Sequence, residues 1–507
     1  GVLLSQGIFE EFYAKLNNRN SFDVEVAKNA FKEMLAAEKN IKVMYNVDSY
    51  TVGSNGTEIE YAIIDDEKYV AKTYIDCTQD ADITVAAGAE YVIGWEDVNE
   101  KNRSMSATLV IHMDNVDWDK ACETIKNENR PNTGYSDRGI WAFGNITQNY
   151  IPAQTNMRLK ALNIGRQNDG SVLINSLQII NADMLDPNSK ERAYEKCKEE
   201  ANYLAKFIKE NVPGFENAKL VGVAPELYVR ETRHIIGEYR MTVKDMLEST
   251  YYNTAIGLAS YPIDVQTTSI YDYGYIIGDP NQYYIPMGTI VPKGFKNLLT
   301  IGRSGSYTSI AAGSARVIPT GMTLGESAGI MAAIAKEKNI DFQEMLNNYS
   351  VIKDVQNRMK LQGMYLPKES KPVVDVNGRY YNYIIEMCEK GILSLWYSNT
   401  FNPDETMSER EFIVFLETYL KRSFVDEQFW NADHINLLDA SEKPITPNRA
   451  KEIMADITTY SVKDNEIKGK IEDYINLVMP VGKEDLTLVR IYEIVTLLKN
   501  EITKISE

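Results

Sequence analysis

The sequence predicts an α/β core with α+β elements, followed by an all-α tail, and three observations predict it. Strand-like runs at residues 41–52, 57–64 and 69–77 follow one another across tight polar turns, Gly53-Ser54-Asn55-Gly56 and Asp65-Asp66-Glu67, as in an antiparallel meander. A strand at Leu298–Arg303 runs into a Gly/Ser-rich loop and then a helix of small residues over about 319–336. Beyond residue 371, three helix starts at Ser408, Thr446 and Thr487 carry apolar residues in one shared register.

A helix is expected from about Asp23, with Ala27, Ala30, Phe31, Met34 and Leu35 on one face. After the meander, residues 96–295 mix strands and helices, rich in Tyr and without a repeat. The small-residue helix carries Gly321, Gly325, Ala328, Gly329, Ala332 and Ala333, which let another backbone or a flat ligand approach closely. Its N-terminus offers free N–H groups and a positive dipole end, and Pro319 fits at or before the first turn. Tight packing on a sheet would use the same small residues. Residues 361–371, with Pro367, Lys368 and Lys371, read as a linker.

In the tail, the positions four, seven, eight and eleven after each helix start are apolar. They are Phe412, Phe415, Leu416 and Tyr419; then Ala450, Ile453, Met454 and Ile457; then Ile491, Ile494, Val495 and Leu498. Ser408 with Glu411 makes a capping box, and Pro447 takes the favourable first helical position.

Composition excludes several classes. The 507 residues carry 54 Lys+Arg against 72 Asp+Glu, a net charge of −18. Without a basic block, neither nucleic acid nor an anionic membrane surface finds a partner here. No run of about 18 apolar residues spans a bilayer. The four cysteines are far apart with no Cys-x-x-Cys, and only three histidines occur, so neither a disulfide framework nor a metal site is expected. The chain opens Gly1-Val2-Leu3-Leu4 without Met or a signal-peptide pattern, as a start inside a longer sequence would.

The stretch from Asn297 to Ala335 resembles the carboxy-terminal flavin motif of bacterial FAD-dependent oxidoreductases with a two-part dinucleotide-binding domain. That resemblance implies FAD as cofactor and hydride transfer from a small organic substrate to the flavin. It also implies a Rossmann-like FAD-binding domain in two parts, 1–95 and 296–360, around a substrate domain at 96–295. Carried over by position, it puts Gly302 and Arg303 near the ribityl chain, Thr320, Gly321 and Met322 at the flavin edge, and Arg316 nearby. A second segment, Tyr74–Asp82, resembles the family's Asp-Ala-Thr-Gly-Asp stretch beneath the adenosine diphosphate half. Thr78 and Gln79 take its Thr-Gly positions, Gln departing from the commoner Gly, and Val47 matches the position whose backbone meets adenine. In the polar-dense Ala224–His234 stretch, Arg233 and His234 are the catalytic candidates, to orient a carboxylate or hydroxyl and move its proton. A strand or helix edge held by ion pairs to Glu226 and Glu231 would use the same residues. The family's opening Gly-x-Gly-x-x-Gly unit has no counterpart, so the resemblance implies a domain without its N-terminal βαβ element.

Residues 372–507 resemble S-layer homology modules at Val374-Asp375-Val376, Gly391-Ile392, Phe401-Asn402-Pro403-Asp404 and Met407–Phe412. Such modules bind anionic cell-wall polymers through a basic residue directly after the helix cap. Here Glu409, Pro447 and Leu488 stand there, which implies at most weak wall association, with Trp396 and Trp430 available to stack on sugars. The implied location is the cell surface if the repeats act in that way, and otherwise the cytoplasm. The competing reading is a non-enzymatic surface interaction protein with a vestigial flavin domain.

Overall fold

A computed structural model describes residues 4–479 and 486–506. Two helices open it, Ile8–Lys15 and Val24–Ala37, packed through Phe9, Phe12, Leu16, Ala27 and Ala30. The second begins at its cap: the Asp23 carboxylate accepts from the Glu25 and Val26 N–H groups, satisfying donors that a helix start leaves unpaired. Its apolar face is only half covered, with Ala27 and Ala30 buried and Phe31 and Leu35 exposed.

The meander consists of Tyr50–Ser54, Ile59–Ile64 and Glu67–Tyr69, antiparallel in that order. It differs from the sequence reading at both ends. Residues 41–49 form no strand; they are exposed, with no neighbouring strand to pair with their backbone. The run 69–77 is divided, because Tyr74–Asp76 leaves the meander and pairs in parallel with Leu298–Thr300. Asn297 explains the departure. Its carbonyl accepts from the Tyr74 N–H at 2.8 Å, while its side-chain amide bonds the Ile59 N–H at 2.9 Å and the Ile59 carbonyl at 2.8 Å. One residue thus joins the meander to the parallel pair.

The inserted unit is smaller than 96–295. Its own core runs from Ala107 to Val229, under a seven-stranded antiparallel sheet. Along the strand Ala107–Asp114, Ala107, Leu109, Ile111 and Met113 are all buried, the period of two expected of a sheet with a buried face. The helix Pro187–Asn211 packs on this sheet. Beyond it the chain rejoins the main body. The paired strands Ala255–Ala259 and Tyr283–Pro286 share a core with the small-residue helix, which spans Ile318–Lys338.

The tail holds helices Tyr381–Glu389, Glu409–Lys421, Pro447–Thr459, Asn465–Val478 and Leu488–Ser506. All twelve residues of the shared register are buried. Ser408 and Glu411 form the capping box, and the Thr446 hydroxyl accepts from the Arg449 N–H at 3.4 Å. The stretch 361–371 is not a free tether. Met364 and Leu366 are buried, the Glu369 carbonyl accepts from the Tyr284 hydroxyl, and the Ser370 hydroxyl donates to the Ser249 carbonyl at 2.6 Å. One continuous apolar core therefore joins tail and main body. At the seam, the Arg103 and Arg422 guanidiniums lie 4.7 and 5.0 Å from the Trp95 ring, and Glu100 accepts from both at 3.2 Å.

Candidate functional site

The two parallel strands end side by side at Asp76 and Thr300, and their following loops form a crevice, the place where parallel sheets commonly bind ligands. The first loop is set by the buried Asp76 carboxylate. It accepts from the N–H and hydroxyl of Thr78 at 2.8 and 2.7 Å and from those of Thr84 at 2.8 Å each. The Thr78 hydroxyl in turn accepts from the Asp82 N–H at 2.7 Å, so Thr78 has no side-chain donor to spare and faces the crevice as a shaped wall.

Opposite stands Gly302, at φ +102, with no atom within 4 Å of where a Cβ would sit. That left-handed backbone suits glycine and leaves its surface open to a ligand. Arg303 crosses the crevice and locks the loops together. It donates to the Gln79 amide oxygen at 2.7 Å, to the Val229 carbonyl and to Asp80. Burial works to raise the Asp80 pKa, but the Arg303 charge and the Thr232 hydroxyl outweigh it and hold that carboxyl below its usual range. The Nε atoms of Arg303 and Arg316 are buried without a protein partner, and both residues border a space of about 260 Å³.

Thr78, Gln79, Gly302, Arg303 and Arg316 line this one crevice, although 223 positions separate the Arg303–Asp80 partners. Cys77, Tyr228, Val229, Arg230 and Ile318 complete it. The other positions singled out in the sequence lie elsewhere. Val47 sits in the exposed irregular run before the meander. Thr320 is buried and bonds the Tyr283 hydroxyl, while Met322 packs against the two N-terminal helices. Gly321 is open on its Cβ side but does not line the crevice.

Arg233 and His234 also lie outside it. Arg233 donates to Asp82 at 2.8 Å and to the Asp80 carbonyl at 2.9 Å, pinning the acidic loop from behind. His234 is 1% exposed, with Nε2 2.9 Å from Glu231 Oε1, and the other Glu231 oxygen accepts from the Met105 N–H at 2.6 Å. Arg233 thus pairs with Asp82 and His234 with Glu231, and among the described residues no arginine pairs with Glu226 or Glu231. Arg233→Ala is accordingly expected to lower ligand binding at the crevice and thermal stability together. A variant that keeps both while losing only turnover would return the residue to the chemistry.

A family model for FAD dependent oxidoreductases matches residues 3–359. The chain belongs to that family. No curated protein and no solved structure matches it. The mixed α/β architecture agrees with the Rossmann-like fold the family implies. Gly302 leaves the backbone open to the close approach of a ligand, which the family's cofactor would use. The sequence has no Gly-x-Gly-x-x-Gly turn to receive the phosphates. Among the described residues, no helix is long and apolar enough to cross a membrane.

Proposed function

We propose that this chain is an FAD-dependent oxidoreductase that takes a hydride from a small organic substrate held in the crevice between the two parallel-strand loops. The observation that carries this reading is the convergence of Gly302, Arg303, Gln79 and Thr78, from well-separated parts of the family match, on one open space. Bound FAD supplies the hydride acceptor. The chain's own residues bind and orient. Arg303, fixed by Gln79 and Asp80, ties the two loops together, and Gly302 and the backbone of Thr78 and Gln79 border the ring and ribityl end. The substrate role moves from Arg233 and His234, which are committed to Asp82 and Glu231, to the Tyr228–Arg230–Arg316 wall.

The tail supports a reading as S-layer-like helical repeats, through its shared buried register and its Ser408 cap. Glu409 after that cap is paired with Arg449 at 2.8 Å, so the position presents no free cation to an anionic polymer.

The test is FAD retention in Ile318→Trp. Ile318 lines the crevice and is exposed, so the fold and melting temperature should be kept. The indole would fill space the flavin needs, and FAD retention should fall at least tenfold. Stoichiometric FAD in the variant would show that the flavin does not occupy this crevice.

A further inference from the structure

The Tyr228–Arg230–Arg316 wall carries more positive charge than the protein neutralises. Arg230 is 7% exposed and forms no ion pair among the described residues. Its guanidinium donates only to neutral oxygens, the Ser106 carbonyl at 3.0 Å and the Thr108 hydroxyl at 2.6 Å, and stacks 4.5 Å from the centre of the Tyr228 ring. Arg316, whose side chain is 6% exposed, donates to the hydroxyl of the same Tyr228 at 3.1 Å and meets Asp264 only at 3.6 Å. Burial, with the Arg316 repulsion and against the opposing pull of Tyr228 and Asp264, pushes the Arg230 pKa down to about 10. Lys160, close by, is likewise pushed down, mainly by burial, and its ammonium donates to the Gln266 amide at 3.3 Å. Asp264 acts electrostatically on Arg230, Arg316 and Lys160 alike, and the Asp80 charge is already committed to Arg303.

An uncompensated guanidinium costs several kcal/mol in general unless an anion joins it. Here it borders an open space rather than packed side chains. The field there has a second source. The helix Ile318–Lys338 starts at this wall with Ile318 in the lining, and its cap residue Val317 offers no side-chain acceptor to its first N–H groups.

We infer that the wall made by Tyr228, Arg230 and Arg316 is an anion subsite that holds the carboxylate of a small organic acid as substrate. Two guanidiniums braced on one tyrosine give the planar fork that a carboxylate takes in bidentate fashion. The aromatic face of Tyr228 with Val229 and Ile318 suits an organic body more than a bare inorganic ion. As a substrate site this rests on the flavin reading above; as an anion site it is testable apart from it.

The experiment titrates the whole chain with succinate, neutral succinamide and inorganic phosphate, with and without FAD, reading calorimetric affinity and melting temperature. Succinate should bind saturably and raise the melting temperature, and succinamide should do neither. Arg230→Met and Arg316→Met should each weaken succinate at least tenfold, and Arg230→Lys less. Arg230→Met should lose the rise in melting temperature that succinate gives the wild type, whatever its own melting temperature without ligand. Equal responses to succinate and succinamide overturn the inference, as does an Arg230→Met protein with its succinate affinity unchanged. Phosphate binding tighter than succinate, with the same variant dependence, would assign the wall to a phosphate group instead and overturn the carboxylate. FAD binding without succinate binding refutes this inference alone. Succinate binding without FAD binding keeps the anion site and refutes its role in flavin chemistry.

Discussion

Arg422→Ala should destabilise the protein by about 3–5 kcal/mol, the range for breaking a buried charge pair from one side. The Arg422 side chain is 4% exposed and donates to Glu100, to the Lys390 carbonyl and to the Gly391 carbonyl at 3.0 Å. Its removal leaves the Lys390 carbonyl and part of the Glu100 charge without a partner and takes one of two guanidiniums off the Trp95 ring. Main body and tail share one core across this seam, so denaturant unfolding of the wild type should report both together. In the variant, the tail should melt at lower denaturant than the main body. A variant with an unchanged midpoint would mean that the seam adds nothing to stability.

The same cluster predicts acid lability. Burial raises the Glu100 pKa, but Arg422, Arg103 and Lys421 outweigh it and hold the carboxyl below its ordinary 4.5. A carboxyl depressed in the folded state stabilises above its unfolded pKa, and that contribution is lost as pH falls through the folded value. Wild-type stability should therefore drop below about pH 4.5, and Arg422→Ala should flatten that drop.

Gly302→Val should cost about 1–3 kcal/mol through backbone strain, because a β-branched residue is forced to φ +102. Its larger effect should be on the cofactor. The isopropyl group would project into the open space beside Arg303, and FAD affinity should fall more than tenfold. Gly302→Ala separates the two causes, since it carries most of the strain with little of the bulk. Its melting temperature should resemble that of the valine variant while its FAD affinity stays nearer the wild type.

Local signals in the sequence were legible where the cause is local. Asp23, Ser408 and Thr446 cap helices because their side chains reach N–H groups two or three residues on. The tail register is legible because period 3.6 is written in consecutive residues. The run 41–49 misled because Ile41, Val43, Tyr45 and Val47 alternate as a strand does, whereas strand formation needs a pairing partner that periodicity does not reveal. The turn of Tyr74–Asp76 out of the meander was hidden for the same reason, since its partner lies more than 200 residues on. At the crevice, residue resemblance brought Thr78, Gln79, Gly302, Arg303 and Arg316 into view. Arg230 was passed over for Arg233, three positions away, because the loop at Asp80–Asp82 decides which guanidinium is neutralised. One signal was present: Tyr228 and Arg230 share a parity in an extended run, opposite to Arg233.

The measurement closest to the central claim is an equilibrium titration of the chain with FAD, followed by quenching of flavin fluorescence. One FAD per chain is expected, with affinity lowered at least tenfold in Arg303→Met and Gly302→Val and unchanged in Leu438→Ala, an exposed tail position far from the crevice lining. Unsaturable quenching, or equal affinity in all four proteins, would contradict a flavin site at the ends of the parallel strands.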